Sequence, residues 1–163
     1  MNLPSLRLQA KSPQVNPVRI LIDGFSVLHA CKDELPATAP HTAKARDWLL
    51  KQCLSYQDTL HIPMSVFFDG KGAAKATLKD ETHPHLEVIY SASSQTADAL
   101  IERVAHRLLA YGKVLVITND QAEQNTILSM GGEVMSCEQF MEHVRDQRDR
   151  FEQDHARYLR QDS

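Results

Sequence analysis

Apolar residues along this chain fall into two alternating rhythms. Short β-branched-rich runs occur at Val18–Ile22 (VRILI), Met64–Phe68 (MSVFF), Leu86–Tyr90 (LEVIY) and Lys113–Thr118 (KVLVIT), with a shorter one at Glu133–Met135. Their length and near-continuous hydrophobicity predict strands buried on both faces. Between them the period changes to that of a helix. From Thr96 to about Tyr111, residues Ala97, Leu100, Ile101, Val104, Ala105, Leu108 and Leu109 share one face, and Gly112 ends the run. Thr42 to about Gln57 reads as another helix, with Thr42 as its cap and Trp48, Leu49, Cys53, Leu54 and Tyr56 on its apolar side. A short helix is predicted from Asp120 to the Gly131-Gly132 pair.

Ser136-Cys-Glu-Gln139 has capping-box spacing and opens a long, highly charged final helix. Phe140, Val144, Phe151, Tyr158 and Leu159 give it a thin apolar stripe. So narrow a stripe favours a solvated helix over a partner-binding one. Strands alternating with helices imply βαβ crossovers and a mostly parallel sheet covered on both faces. The 163 residues hold no internal repeat and suit a single core. Residues 1–17, with their prolines and polar side chains, read as a flexible arm preceding one domain over 18–163.

Composition narrows the function classes. The formal net charge is −3, which argues against a positively coated, nonspecific nucleic-acid binder but leaves room for a local basic groove. No apolar stretch is long enough for a bilayer and no secretory h-region is present, so a cytoplasmic protein with no membrane partner is expected. Cys31, Cys53 and Cys137 are far apart, with no zinc spacing. They read as isolated reduced thiols. His29, His83 and His85 show no ligand pattern and read as surface or loop residues. The chain has no GxxxxGK[ST] loop, GxGxxG fingerprint or nucleophile elbow.

What stands out is four aspartates where strands end or a helix begins: Asp23 in RILIDG, Asp69 in SVFFDG, Asp98 in QTADALIE and Asp120 in VLVITND. The carboxyl ends of parallel strands share one edge, where ligands bind in open α/β sheets. Each acid has a structural explanation of its own. Asp-Gly is common turn chemistry. Asp120 can cap a helix with Glu123 completing a capping box. Asp98 gains from the helix dipole. Their joint placement at one edge, with Glu102 one turn after Asp98, favours a shared site. Like charges so close call for a hard divalent cation, Mg²⁺ or Mn²⁺. Such a centre suits phosphodiester hydrolysis, because cations polarise phosphate and lower the pKa of water.

Lys71, Lys75 and Lys79 recur at intervals of four after the second acid. If helical, they share a face that contacts phosphates, or one that is simply solvated. Arg103 and Arg107 lie on the helix that carries Asp98.

The segments ILIDGFSVLH, VFFDG, VIYSASSQTADALIERV and VLVITNDQAEQNTILSMGGEVMSCEQF together resemble the YacP-like group of NYN domains, within the PIN-like nuclease superfamily. The resemblance runs from about Val18 to Val144. It implies a PIN-like three-layer α/β/α sandwich with a mostly parallel central sheet. It also implies metal-dependent endoribonuclease activity on RNA, and some members are linked to the translating ribosome. Asp23, Asp98 and Asp120 match the family's metal-binding positions. Asp69 matches the acid after the second strand, acting directly or through water, and Glu102 is a further candidate. The family commonly has asparagine where this chain has Ser26, whose hydroxyl keeps a donor and an acceptor at shorter reach. That departure leaves a second reading open: a PIN-like RNA- or ribosome-binding module of weak or no activity.

Overall fold

The computed structural model describes residues 16–35, 39–70, 85–92 and 94–162, and the backbone alone of 76–79. Residues 1–15, most of the expected arm, lie outside the described set, as do Lys71, Lys75 and His83.

Six strands form one sheet: β1 (Arg19–Asp23), β2 (Met64–Phe68), β3 (Ala76–Lys79), β4 (Leu86–Tyr90), β5 (Val114–Ile117) and β6 (Glu133–Met135). Their order across the sheet is β3-β4-β2-β1-β5-β6. All neighbours run parallel except β3, which lies antiparallel to β4. The five helices are α1 (Gly24–Ala30), α2 (Ala43–Leu60), α3 (Ala97–Leu108), α4 (Gln121–Ser129) and α5 (Cys137–Gln161).

Alternation along the strands sorts the helices into two layers. Ile20 and Ile22 of β1, Met64, Val66 and Phe68 of β2, and Ile117 of β5 pack with α1, α2 and the first turns of α5. Leu21, Phe67, Val114 and Val116 point the other way and meet α3 and α4 through Ala97, Ile101, Ala105 and Ile127. The result is the expected three-layer sandwich. Sequence periodicity was sufficient here because strands covered on both faces leave no polar side to mislead.

Two local expectations are corrected. The lysine-bearing segment is not a helix over Ala76–Lys79. Its backbone pairs with β4 from Ala76↔Tyr90 to Lys79↔Glu87 and covers that edge of the sheet. The four-residue lysine spacing therefore does not build a helical face at Lys79. The residues after Asp23 are not merely a turn, because Asp23 caps α1 directly, accepting from Ser26 N at 3.3 Å. Gly24 is needed there for a close approach. A Cβ would lie 2.3 Å from the ring of Phe68, which is fully buried.

The capping residues foreseen for the other helices do cap them. Thr42 accepts from Ala45 N, and Ser136 from Gln139 N. The three cysteines are free and buried. Burial pushes Cys53 up to about 12, so it is no thiolate nucleophile. Among the described residues no helix is long and apolar enough to cross a membrane.

Candidate metal centre

The chain leaves β1 toward β2 on one side and returns to β5 on the other. The carboxyl ends of β1 and β5 therefore flank the point where strand order reverses, the usual crevice of such sheets. Asp23 ends β1 and Thr118 follows β5, and the two meet there. Thr118 Oγ1 donates to Asp23 Oδ2 at 3.2 Å. Thr118 is fully buried and Asp23 nearly so.

Asp98, in the first turn of α3, and Glu123, in the first turn of α4, complete a cluster. One carboxylate oxygen from each of Asp23, Asp98 and Glu123 lies within 4.8 Å of the others. Glu123 is 2% exposed, and neither of its oxygens has a hydrogen-bond partner among the described residues. Thr118 lies close enough to ease its ionisation, but the threonine proton is committed to Asp23.

Electrostatics follow from this crowding. Burial, and then the charge of Asp23, drive Glu123 up to about 9. Burial raises Asp23 to about 6, with the charge of Asp98 adding to it and the bond from Ser26 N opposing. Burial, and next the charge of Asp120, raise Asp98. Without a cation this crowding favours the protonated forms, most of all at Glu123; a bound divalent ion reverses that preference. Two orphaned buried oxygens and an all-oxygen donor set fit a hard cation of the Mg²⁺ or Mn²⁺ type.

Asp120 is an exposed N-cap of α4, accepting from Glu123 N at 3.0 Å. The expected capping box is only half made. Asp120 N donates to Thr118 Oγ1 at 3.1 Å instead of meeting the Glu123 carboxylate. Freed from capping, Glu123 turns into the crevice. Sequence reasoning gave this residue a structural role because its spacing from Asp120 satisfied that motif. Its one distinguishing signal was position: first turn of a helix after a buried strand, one turn before buried Ile127.

Asp69 is exposed and sits beside the cluster, close enough for its charge to act on Asp98. Its Oδ1 accepts from Ala97 N at 2.7 Å and from Ser91 Oγ at 3.5 Å, holding the start of α3. Gly70 lies so close to β4 that a Cβ would be 2.1 Å from Ser91 O.

Ser26 does not face the cluster through its hydroxyl. Its Oγ accepts from Asn119 N at 2.9 Å and from Cys137 Sγ at 3.4 Å, tying α1 to the β5 turn and to α5. Glu102 is half-buried and outside the three-carboxyl group. Arg103 and Arg107 are exposed on α3. Arg107 is nine residues beyond Asp98, about 14 Å along the axis. The side chain of Lys79 lies outside the described set.

A doubly covered, mostly parallel sheet with clustered acids at its switch point defines an α/β domain with a candidate metal centre. The chain belongs to the YacP-like NYN domain family, which it matches over residues 20–162. It is 29% identical over 126 residues to Uncharacterized protein YacP of Bacillus subtilis, spanning 77% of this chain and 74% of that one. The crystal structure of Rae1 (YacP) from Bacillus subtilis superposes with a TM-score of 0.71 at 25% identity, covering 91% of this chain and 84% of the other. A point variant of Rae1 gives 0.67 at 26% identity, with 83% and 79% covered.

Proposed function

We propose that this protein is a divalent-metal-dependent endoribonuclease, a hydrolase of RNA phosphodiester bonds in the cytoplasm, acting on translated or ribosome-associated mRNA. The observation that carries the reading is Glu123. A carboxyl buried against two others must either keep its proton or be neutralised by a cation, and no basic side chain among the described residues does so. Membership of a nuclease-like family gives such a cation a purpose.

Asp23, Asp98 and Glu123 would hold Mg²⁺ or Mn²⁺, with Asp120 and Asp69 at the rim. A cation there supplies charge neutralisation at phosphate and acidification of water. The chain's own groups do the rest. Thr118 and Ser26 N fix the Asp23 carboxylate in one orientation. The amino ends of α3 and α4 open onto the cluster, and their dipoles favour both the carboxylates and an incoming phosphate. Arg103, Arg107 and the lysines at 71, 75 and 79 are the cations proposed to bring the strand in.

The test is cleavage of single-stranded RNA with Mn²⁺ by the wild type, Asp23→Asn, Glu123→Gln and Asp120→Asn. The wild type cuts; the first two variants do not; Asp120→Asn ranks between them. Equal cleavage by all four, or none by any across metals and substrates, overturns the reading.

A second reading is a binding module for RNA or the ribosome. It draws on Ser26, whose hydroxyl is used in structural bonds where the family commonly has an amide. RNA or ribosome binding that survives loss of the acids, with no cleavage by the wild type, selects it.

A further inference from the structure

Beside the acidic cluster lies a cavity of about 360 Å³, lined by Asp69, Gly70, Ser91, Ser94, Gln95 and Thr96. It is framed by the corners after β2 and β4 and by the cap of α3, so its wall is two residues from Asp98. Its chemistry differs from that of the cluster. No cationic side chain lines it among the described residues, and a carboxylate does. The carboxylate favours a neutral group rich in hydrogen-bond donors.

The polar atoms are partly committed, and the remainder is informative. Asp69 Oδ1 is taken by Ala97 N and Ser91 Oγ, while its second oxygen has no partner among the described residues. Ser91 Oγ is spent on Gly70 N and Asp69. Thr96 Oγ1 accepts from Ala99 N. The Ser94 hydroxyl and the Gln95 amide make no side-chain bond to a described residue and stand at the cavity wall. One anionic acceptor, one hydroxyl and one amide suit a sugar hydroxyl together with a base edge.

We infer that this cavity receives the nucleoside next to the phosphate held at the acidic cluster, and that Asp69 accepts a hydrogen bond from its ribose 2′-hydroxyl. The inference rests on the nuclease reading and deepens it by naming what part of the substrate distinguishes RNA from DNA. The 2′-hydroxyl is the one donor that RNA adds at every residue, and a free carboxylate oxygen is a strong acceptor for it. Ser94 and Gln95 position the same nucleoside.

The experiment is a cycle between protein and substrate. A single-stranded RNA with one mapped cleavage site is prepared with single 2′-deoxy substitutions at each position around that site. Cleavage with Mn²⁺ and binding by fluorescence anisotropy in EDTA are measured for the wild type, Ser94→Ala/Gln95→Ala and Asp69→Asn. Asparagine keeps an oxygen for Ala97 N. The wild type loses roughly three- to tenfold at one position only, the value of one hydrogen bond. In Asp69→Asn the 2′-deoxy penalty at that position shrinks, because a neutral amide replaces the anionic acceptor, and in the double variant RNA binding in EDTA weakens by a similar factor. A wild type that cuts RNA while showing no such position, or the same penalty in wild type and Asp69→Asn, overturns the subsite and leaves the nuclease reading intact. No cleavage of any RNA by the wild type overturns both.

Discussion

The two ends of the central sheet handle charge in opposite ways. At the amino end, Arg19 donates to Ser65 Oγ at 3.0 Å, Ser65 donates to Glu87 Oε2 at 3.0 Å, and Arg19 stands 3.6 Å from the same carboxylate. Lys113 and Glu133 pair at 3.4 Å at the start of β5 and β6. At the carboxyl end, Asp23, Asp98 and Glu123 crowd together and no described cation faces them. Paired charges at one end are ordinary structural chemistry, of modest value because they are partly solvated. Unpaired like charges at the other end are expensive, and such clusters concentrate at functional sites. The asymmetry, more than any one carboxylate, supports the proposed centre.

The strongest way to break this contrast is to remove an acid at the carboxyl end. Asp23→Asn or Glu123→Gln lowers Mn²⁺-dependent RNA cleavage by more than about a hundredfold, beyond the tenfold to hundredfold typical of groups that only orient ligands. Gel assays at saturating metal check it. Thr118→Val comes next. It takes the hydroxyl from Asp23 and the acceptor from Asp120 N, so cleavage falls about tenfold to hundredfold and unfolding free energy drops by about 1–3 kcal/mol. Urea titration and initial rates, measured on the same preparation, separate the two effects.

A pH series sharpens the comparison without touching rates. Asp23 and Glu123 carry pKa values raised on folding, so their protonated forms favour the folded state. That contribution is complete below the ordinary values of 3.8 and 4.5 and is lost as pH rises through about 6 and about 9. In EDTA the melting temperature should therefore fall as pH rises through this window, and Mg²⁺ or Mn²⁺ should restore it. Glu123→Gln should flatten the upper part of the decline and exceed the metal-free wild type near pH 9. A melting curve indifferent to metal and pH would argue that the three carboxyls are not coupled in solution. The smallest effect belongs to the amino end. Glu87→Gln should cost about 1 kcal/mol or less, with cleavage unchanged.

Glu123 and Asp120 show where sequence reading stops. Both were visible as an acid pair with capping spacing, and Asp120 does cap α4. Spacing cannot say whether the second acid turns back to the cap or inward. Thr118, arriving from β5, supplies the acceptor for Asp120 N and so releases Glu123. β3 is a similar case. Lysines four residues apart are compatible with a helix, but the open side of β4 offered hydrogen bonds that a local pattern does not register.

Local pattern was enough for the alternation of strands and helices, the caps Thr42, Asp120 and Ser136, and the aspartates at strand ends. These depend on contacts within a few residues or on whole-segment burial, and both leave periodic traces. Which acids meet depends on the three-dimensional arrangement of the strands. Asp23, Asp98 and Glu123 meet because β1 and β5 are neighbours while the helices that follow β4 and β5 both begin at their carboxyl ends. That meeting is a property of strand order, and strand order leaves no mark on the residues it brings together.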